Sequence, residues 1–268
     1  MTLAERLRAL YPEASGRSLK QWLAGGRVTV DGRPCRDGRL ALSPQAVIAL
    51  GARARAVPFP RELERVHEDD AILVVVKPAG LLSIATERER ERTAYRLVWD
   101  YLAARGERPF IVHRLDRETS GLLVLAKSEG AKRALQAQFE ARRVERVYRA
   151  LVAGRPARAE GTLESRLAED RSLRVRSAAG GRMAITRYRV ITARRGESLL
   201  ELTLGTGRRH QIRVQLAEAG WPIVGDATHG GPRGDAGRLC LHATRLAFAH
   251  PTTGAHLAFE SAAPGDWV

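Results

Sequence analysis

A single carboxylate in a charged turn is the most chemically distinctive feature of the sequence. Asp116 lies between Arg114 and Arg117, in a polar segment that continues directly into the apolar residues 122–126. The apolar run predicts a buried strand, which would place the acid at the edge of a sheet. Guanidinium groups beside a carboxylate favour its ionised form. An ionised carboxylate could act as a nucleophile or a general base. Taken alone, such an aspartate is more often half of a surface ion pair that contributes little.

Tyr148 and Arg213 are further polar residues in segments with regular patterns. Tyr148 lies in residues 144–152, where partial alternation of apolar and polar residues predicts a strand. Arg213 lies in residues 208–220, where apolar residues four positions apart predict a helix. Each has an ordinary structural interpretation, because strand tyrosines are commonly half-buried and basic helix faces are commonly solvated.

The elements that would position these side chains are both helices and strands. Strands are predicted at 72–76, 185–194 and 199–204, and helices at 94–102 and 129–142. Residues 155–182 are rich in Arg, Gly and Ala and predict no clear element. The chain after residue 62 is therefore long enough for one sizeable domain with its own core.

The first 50 residues predict a separate small module. Leucines at helical spacing precede Pro12, a second helix can begin at Ser15, and Asp31-Gly32 predicts a tight turn between two strands. A last strand is predicted at 46–50. Residues 1–62 contain eleven Lys and Arg against five Asp and Glu, so this part alone carries +6. A basic module of this kind could bind RNA or could only pack on its neighbour.

Residues 52–62 predict a linker between the two parts. They combine small, basic and proline residues without apolar periodicity. The expected organisation is a small domain at 1–51, this linker, and a larger domain at 63–268.

The charge of the chain indicates a polyanionic partner. There are 45 Lys and Arg against 30 Asp and Glu, a net charge of +15 over 268 residues. Nucleic acid is the commonest partner for so basic a protein. The strong preference for arginine over lysine could reflect genome composition, which would not by itself create the excess of positive charge.

Other features of the composition narrow the classes of protein. Two distant cysteines, Cys35 and Cys240, favour neither a disulfide framework nor a zinc site, and no metal or cofactor is expected. No apolar run reaches the roughly 18 residues of a membrane span. The N-terminus lacks a basic-then-apolar secretory pattern. A cytoplasmic location is therefore expected.

Residues 113–121, His-Arg-Leu-Asp-Arg-Glu-Thr-Ser-Gly, resemble the signature loop of the RluA-type pseudouridine synthases, H-R-L-D-x-x-T-S-G. Residues 144–152 and the Thr-Gly-Arg-Arg-His-Gln-Ile-Arg segment ending at Arg213 also resemble that family, and the resemblance extends over about 66–266. Gln215, Trp221 and His229 depart from the usual residues of the family pattern. The resemblance implies an α+β fold whose core is a mixed, largely antiparallel sheet flanked by helices and loops. It also implies that the N-terminal module is a small α/β S4-like RNA-binding domain.

The resemblance carries functional roles onto particular positions. It makes Asp116 the catalytic residue, sets Tyr148 against the target uracil and makes Arg213 the active-site arginine, while Arg114 would enter the RNA. The residues expected to contact RNA are Arg114, His113, Arg17, Lys20, Arg27, Arg208 and His210. Asp116 could attack the sugar covalently or remove a ribose proton, and the sequence leaves both routes open.

The function this implies is isomerisation of uridine to pseudouridine on a flipped-out nucleotide of structured RNA. The expected substrate is 23S large-subunit rRNA, and the expected assembly is a monomer. Alternatives are a tRNA pseudouridine synthase, a non-catalytic RNA-binding or ribosome-assembly factor, and an RNA N-glycosidase that stops after cleavage.

Overall fold

The computed structural model describes residues 1–51, 57–87, 89–170, 174–194 and 196–267. These residues form two units, one of Met1–Arg61 with Tyr95–Pro109 and one of Glu62–Ala94 with Phe110–Val268. Part of the predicted linker, residues 52–56, lies outside the described residues. The predicted domain boundaries stay a prediction.

The first unit contains helices on a small sheet. Helix α1 spans Leu3–Leu10 and α2 spans Gly16–Ala24. Strands β1 (Val28–Val30), β2 (Arg33–Pro34) and β3 (Ile48–Leu50) form an antiparallel sheet in the order β2-β1-β3. Helix α3 spans Ala94–Ala103. The predicted helices and hairpin are confirmed.

Local signals explain where these elements begin. Thr2 and Glu5 form a capping box at the start of α1, since the Thr2 backbone N–H donates to Glu5 Oε2 at 2.7 Å. The Ser15 hydroxyl accepts from the Ser18 N–H at the start of α2. The apolar sides of both helices then bury Leu3, Leu7, Leu19 and Leu23 with Val28.

The second unit is built on one large sheet. Its strands are β4 (Glu64–Glu68), β5 (Ile72–Lys77), β6 (Phe110–Ile111), β7 (Ser120–Ala126), β8 (Glu145–Ala153), β9 (Glu160–Glu169), β10 (Val175–Ser177), β11 (Arg182–Arg194), β12 (Glu197–Leu204), β13 (Leu241–Ala249) and β14 (His256–Glu260). Helix α4 spans Glu129–Glu140 and α5 spans Gln211–Glu218, and a 3-10 turn covers Gly265–Trp267.

The strand order in this sheet is β10-β9-β11-β12-β8-β13-β7-β5-β4, with β14 beside β13 and β6 beside β7. The pairing is antiparallel except between β7 and β13, which run parallel. The mixed, largely antiparallel sheet confirms the predicted α+β fold class. Because β7 and β8 both neighbour β13, the acidic loop before β7 and the tyrosine of β8 are held near one another.

Gly121 makes the contact between β7 and β13 possible. Its φ is +116°, and a Cβ built there would lie 2.4 Å from the carbonyl oxygen of Ala243. Any side chain would push the two backbones apart at this point. The glycine of the signature loop is therefore required by the packing of the central strands.

Several details differ from the sequence prediction. Strands β9 and β10 lie in residues 155–182, where none was predicted, because the exposed faces of β9 dilute the apolar pattern. Helix α5 begins at Gln211 instead of position 208, since His210 has a φ of +52°. Helix α4 ends at Glu140, two residues before Arg142, whose φ is +57°. Within the described residues, no helix combines the length and apolar character that crossing a membrane requires.

Candidate active site

A cleft of about 570 Å³ opens in the second unit. Its walls come from the loop before β7, from β8, and from the segment between β12 and α5. Seven of the ten predicted site residues line it: His113, Arg114, Asp116, Tyr148, Arg208, His210 and Arg213. The remaining three, Arg17, Lys20 and Arg27, belong to the first unit.

The backbone of the acidic loop is fixed by buried hydrogen bonds. The Ser83 hydroxyl donates to the Leu115 carbonyl at 2.8 Å and accepts from the Leu115 N–H at 3.0 Å. The Lys77 ammonium, fully buried, donates to the carbonyls of Arg117, Leu81 and Pro78. Burial lowers the pKa of Lys77 to about 7, against the opposing charges of Glu118 and Asp116. These contacts hold the loop that carries Asp116 in one conformation.

Arg213 is positioned by a buried carboxylate. Its Nε and Nη2 donate to the two oxygens of Asp226 at 2.7 Å and 2.6 Å. Burial would lower the pKa of Arg213, but the hydrogen bonds and charge of Asp226 outweigh it, so the net pKa is raised. Burial alone would raise the pKa of Asp226, but the hydrogen bonds and the charge of Arg213 lower it. The pair is therefore fully ionised and rigid.

Asp116 lies against this pair and a histidine. Its Oδ2 is 3.9 Å from Arg213 Nη1 and 3.9 Å from His210 Nε2, and its side chain is 19% exposed. Arg213 thus uses two of its nitrogens on Asp226 and presents the third to Asp116. The carboxylate is reachable from the cleft while a fixed cation lies beside it.

His210 and His229 form an uncharged pair next to Asp116. His210 Nδ1 is 3.1 Å from His229 Nε2, with the rings edge to face. Burial lowers the pKa of His210 to about 4, although the charge of Asp116 opposes it. Burial also lowers the pKa of His229. Both imidazoles are therefore neutral near pH 7.

Tyr148 forms another wall of the cleft from β8. The residue is 8% exposed, and burial raises the pKa of its phenol to about 12. The charges of Arg146 and Asp116 act in opposite directions on it. Tyr148 is therefore a neutral aromatic surface at physiological pH.

His113 is held in place by a backbone hydrogen bond and by ring stacking. Its Nε2 accepts the N–H of Val124 at 3.1 Å, and its ring stacks on Phe139 with centroids 4.8 Å apart. Burial and the nearby Arg146 lower the pKa of His113 to about 3. A neutral ring with one nitrogen occupied by a backbone group positions the loop; its predicted contact with RNA stays a prediction.

The arginines differ in how far they are restrained. Arg114 is exposed, and among the described residues Glu118 pairs with Arg117 rather than with Arg114. Arg208 donates to the Met183 carbonyl. In the first unit, Arg27 donates to the Gly51 carbonyl and lies over the Trp22 ring, whereas Arg17 and Lys20 are exposed.

The departures from the family pattern have structural explanations. Gln215 is buried and bonds α5 to β11, through the Thr186 hydroxyl at 2.6 Å and the Ala184 carbonyl at 3.0 Å. Trp221 packs edge to face on Tyr188. His229 pairs with His210. The first two changes affect packing, whereas the third places a histidine against His210, a residue that lines the cleft.

Sequence reasoning did not select Asp226, His229, Lys77 or Arg146 as site residues. Asp226 had the clearest signal, because an acid in Gly-Asp follows the basic helix by a short distance. Among the described residues, no three His, Cys, Asp or Glu side chains are grouped as metal ligands would be.

Comparison with known proteins matches this chain to RNA pseudouridine synthases. The sequence model of the RNA pseudouridylate synthase family matches residues 71–218. A ribosomal large subunit pseudouridine synthase D from Pseudomonas aeruginosa is 35% identical over 280 residues, covering 97% of this chain and 87% of that protein. Its counterpart from Neisseria meningitidis is 34% identical, covering 97% and 75%. An uncharacterized RNA pseudouridine synthase from Chloroflexus aurantiacus is 40% identical, covering 97% and 85%.

The fold agrees with these matches. The solved structure of human RNA pseudouridylate synthase domain containing 4 superposes with a TM-score of 0.64 at 23% identity, covering 76% of this chain and 90% of that one. This similarity bears on the fold alone. The sequence matches show that the chain belongs to the RNA pseudouridylate synthase family, enzymes that isomerise uridine in RNA, as the RluA-type resemblance implied.

Proposed function

We propose that the protein converts specific uridines of structured large-subunit ribosomal RNA to pseudouridine, with Asp116 as the catalytic carboxylate. The observation that carries the proposal is the meeting of Asp116, Arg213 and Tyr148 in one cleft of a strongly basic chain. The names of the 34–35% identical relatives favour ribosomal RNA as the substrate.

The reaction breaks the C1′–N1 bond of uridine, rotates the uracil and joins C1′ to C5. The proton on C5 is lost and N1 gains one, so no redox partner is required. Asp116 either attacks C1′ or removes a ribose proton, and both routes need it ionised. Arg213 Nη1, 3.9 Å away, supports that state. The ion pair with Asp226 keeps the guanidinium oriented, so Arg213 is a positioning and electrostatic residue in either route.

Tyr148 provides a flat surface for the base. Stacking of a base on an aromatic ring is worth about 1–3 kcal/mol and does not depend on the base's hydrogen-bonding pattern. With a pKa of about 12, the phenol is uncharged. We assign Tyr148 to stacking on the uracil, with its hydroxyl available for a hydrogen bond to the substrate during loss of the C5 proton.

The uridine has to leave its helix to reach Asp116. Flipping costs a few kcal/mol. Arg114, exposed and only two residues from Asp116, is suited to fill the space left in the RNA. Arg208 would contact phosphates at the rim. His113 and His210 are neutral, so we assign them to shaping the site and to hydrogen bonding, not to neutralising phosphate charge.

We propose that the first unit is an S4-like RNA-binding module. Its exposed Arg17 and Lys20 lie on α2, and Arg27, over Trp22, lies just before β1, so the three form a basic set at one end of the hairpin sequence. Contacts of this kind would add affinity with a strong salt dependence. Action on ribosomal RNA as a monomer in the cytoplasm is the setting this proposal implies.

The test is to map pseudouridine in total RNA from cells with the protein, without it, and with only Asp116→Asn. We expect one or more large-subunit positions to lose the modification in the last two strains. Loss confined to tRNA would overturn the proposed substrate. Unchanged RNA in both would favour a non-catalytic assembly factor, and free uracil in the products would indicate an N-glycosidase.

A further inference from the structure

Arg146 lies in the wall of the cleft beside Tyr148. The two residues are two positions apart on β8, so they project from the same face of the strand, and both line the cleft. Arg149 projects from the other face and pairs with Glu201 at 3.8 Å. The strand therefore presents one arginine to the cleft and another to a carboxylate outside it.

Arg146 has no anionic partner among the described residues. Its Nε is buried without a hydrogen-bond partner there, and no carboxylate of the described chain lies within ion-pair distance. The acid beside it in sequence, Glu145, pairs with Arg245 instead. Burial lowers the pKa of Arg146, and the only charge opposing this comes from the phenol of Tyr148. A cation partly removed from water without a partner is unfavourable unless an anion joins it.

The surroundings of Arg146 are shaped to hold its guanidinium in place. Phe139 lies beneath it, with the guanidinium carbon 5.6 Å from the ring centroid. Gly207 is also close, since a Cβ built there would lie 2.5 Å from Arg146 Nη1. The absence of a side chain at 207 thus leaves room for the guanidinium. A cation–π contact does not supply the in-plane hydrogen-bond acceptor that the buried Nε–H of Arg146 lacks.

We propose that Arg146 binds a phosphate that directly flanks the target uridine. This rests on the proposed function, in which the uracil stacks on Tyr148 and the ribose lies at Asp116. In a uridine-containing RNA the phosphodiester is the only anionic group at neutral pH. Guanidinium binds it through two parallel hydrogen bonds. Arg146 would thus fix the sugar and phosphate of the flipped nucleotide, while exposed arginines hold more distant RNA.

The experiment uses fragments of the modified rRNA that carry one neutral methylphosphonate linkage. The linkage is placed 5′ of the target uridine, 3′ of it, or four nucleotides away. Single-turnover rates at increasing enzyme concentration give the half-saturating concentration for wild type, Arg146→Met and Arg149→Met. Arg149→Met is the matched control, since it removes an arginine from the other face of the same strand.

We expect one flanking methylphosphonate to raise the half-saturating concentration of wild type by on the order of 10- to 100-fold, the range for hydrogen bonds to charged groups. Arg146→Met should show a similarly raised half-saturating concentration with native RNA, and that linkage should raise it no further. Arg149→Met should respond to the linkage as wild type does, and the distant linkage should matter little.

Two results would overturn the inference. One is a half-saturating concentration of wild type that neither flanking linkage changes. This result needs no variant, so it holds even if Arg146→Met misfolds. The other is an Arg146→Met variant in which the flanking methylphosphonate raises the half-saturating concentration by the same factor as in wild type. Failure of wild type to form pseudouridine in the native fragment would instead count against the proposed function.

Discussion

Arg213 donates from Nε and Nη2 to both oxygens of Asp226, and its Nη1 lies 3.9 Å from Asp116. The carboxylate of Asp226 also accepts the N–H groups of Thr228 and His229. Asp226 therefore orients the guanidinium of Arg213, which faces Asp116. The two aspartates have separate tasks, because Asp226 is buried and fully bonded whereas Asp116 is open to the cleft.

Asp226→Asn should impair both folding and catalysis. It leaves the Arg213 cation buried without a counter-charge, and breaking a buried pair in this way costs about 3–5 kcal/mol. We expect the free energy of unfolding in urea to fall by that amount. Turnover should fall at temperatures where the variant is still folded. Glu201→Gln is the control, since its partners Arg189 and Arg149 are 60% and 37% exposed and loss of such a surface pair costs less than about 1 kcal/mol. Full activity in folded Asp226→Asn would contradict the positioning role.

Tyr148→Phe should separate stacking from the hydroxyl. The ring is kept, so RNA affinity should change little, while loss of one hydrogen bond of about 0.5–1.5 kcal/mol should slow turnover by roughly two- to tenfold. Tyr148→Ala should lose affinity as well. Because the pKa of the phenol is about 12, the rate from pH 6 to 9 should show no rise that depends on the hydroxyl. A tenfold rise per pH unit in wild type that vanishes in Tyr148→Phe would show that a phenolate acts.

Gly121→Ala should prevent normal packing of the central sheet. The new Cβ would lie 2.4 Å from the Ala243 carbonyl oxygen, between two backbones that cannot yield. We expect more than about 4 kcal/mol of destabilisation, or no folded protein. Gly80→Ala is the control, because Gly80 also has a positive φ, +82°, but nothing lies within 4 Å. It should cost only about 1–2 kcal/mol of conformational strain. Equal thermal stability of the two variants would show that the close approach is unimportant.

Acid should destabilise the protein through histidines whose pKa is lowered in the folded state. The pKa of His113 is about 3 in the folded protein against an ordinary value of 6.5, so the unfolded chain binds a proton first as the pH falls. Stability is then complete above about pH 6.5 and declines toward pH 3, by up to about 1.4 kcal/mol per pH unit for each such group. His113→Gln, whose amide can still accept from Val124, should show a shallower decline in unfolding measurements. His256→Gln, at an exposed site, controls for loss of a histidine, and an unchanged slope in His113→Gln would refute the assignment.

The sequence predicts elements whose signals are local. Ser15 and the Asp31-Gly32 turn mark their elements because capping and turn chemistry involve only neighbouring residues. The continuous apolar run at 122–126 identifies β7 because both of its faces are buried. Strand β9 escapes prediction for the opposite reason, since most of its side chains are exposed or half-buried and the apolar pattern is weak.

The site is predicted only in part, for a related reason. Asp116, Tyr148 and Arg213 stand in long motifs, but their grouping depends on β8 and β7 both lying beside β13, which no local pattern states. The roles of Asp226 and Lys77 depend on hydrogen-bond partners distant in the chain. The start of α5 depends on the left-handed backbone of His210, a non-glycine residue for which sequence gives little warning.

The most direct test of the account is tritium release from C5-labelled uridine in the target RNA, measured in a single turnover with saturating enzyme. Wild type should release the label, whereas Asp116→Asn should release none above background while binding the RNA with nearly the wild-type affinity. Glu118→Gln, two residues away in the same loop, should behave as wild type. Release by folded, RNA-bound Asp116→Asn at the wild-type rate would contradict the claim that this carboxylate performs the isomerisation.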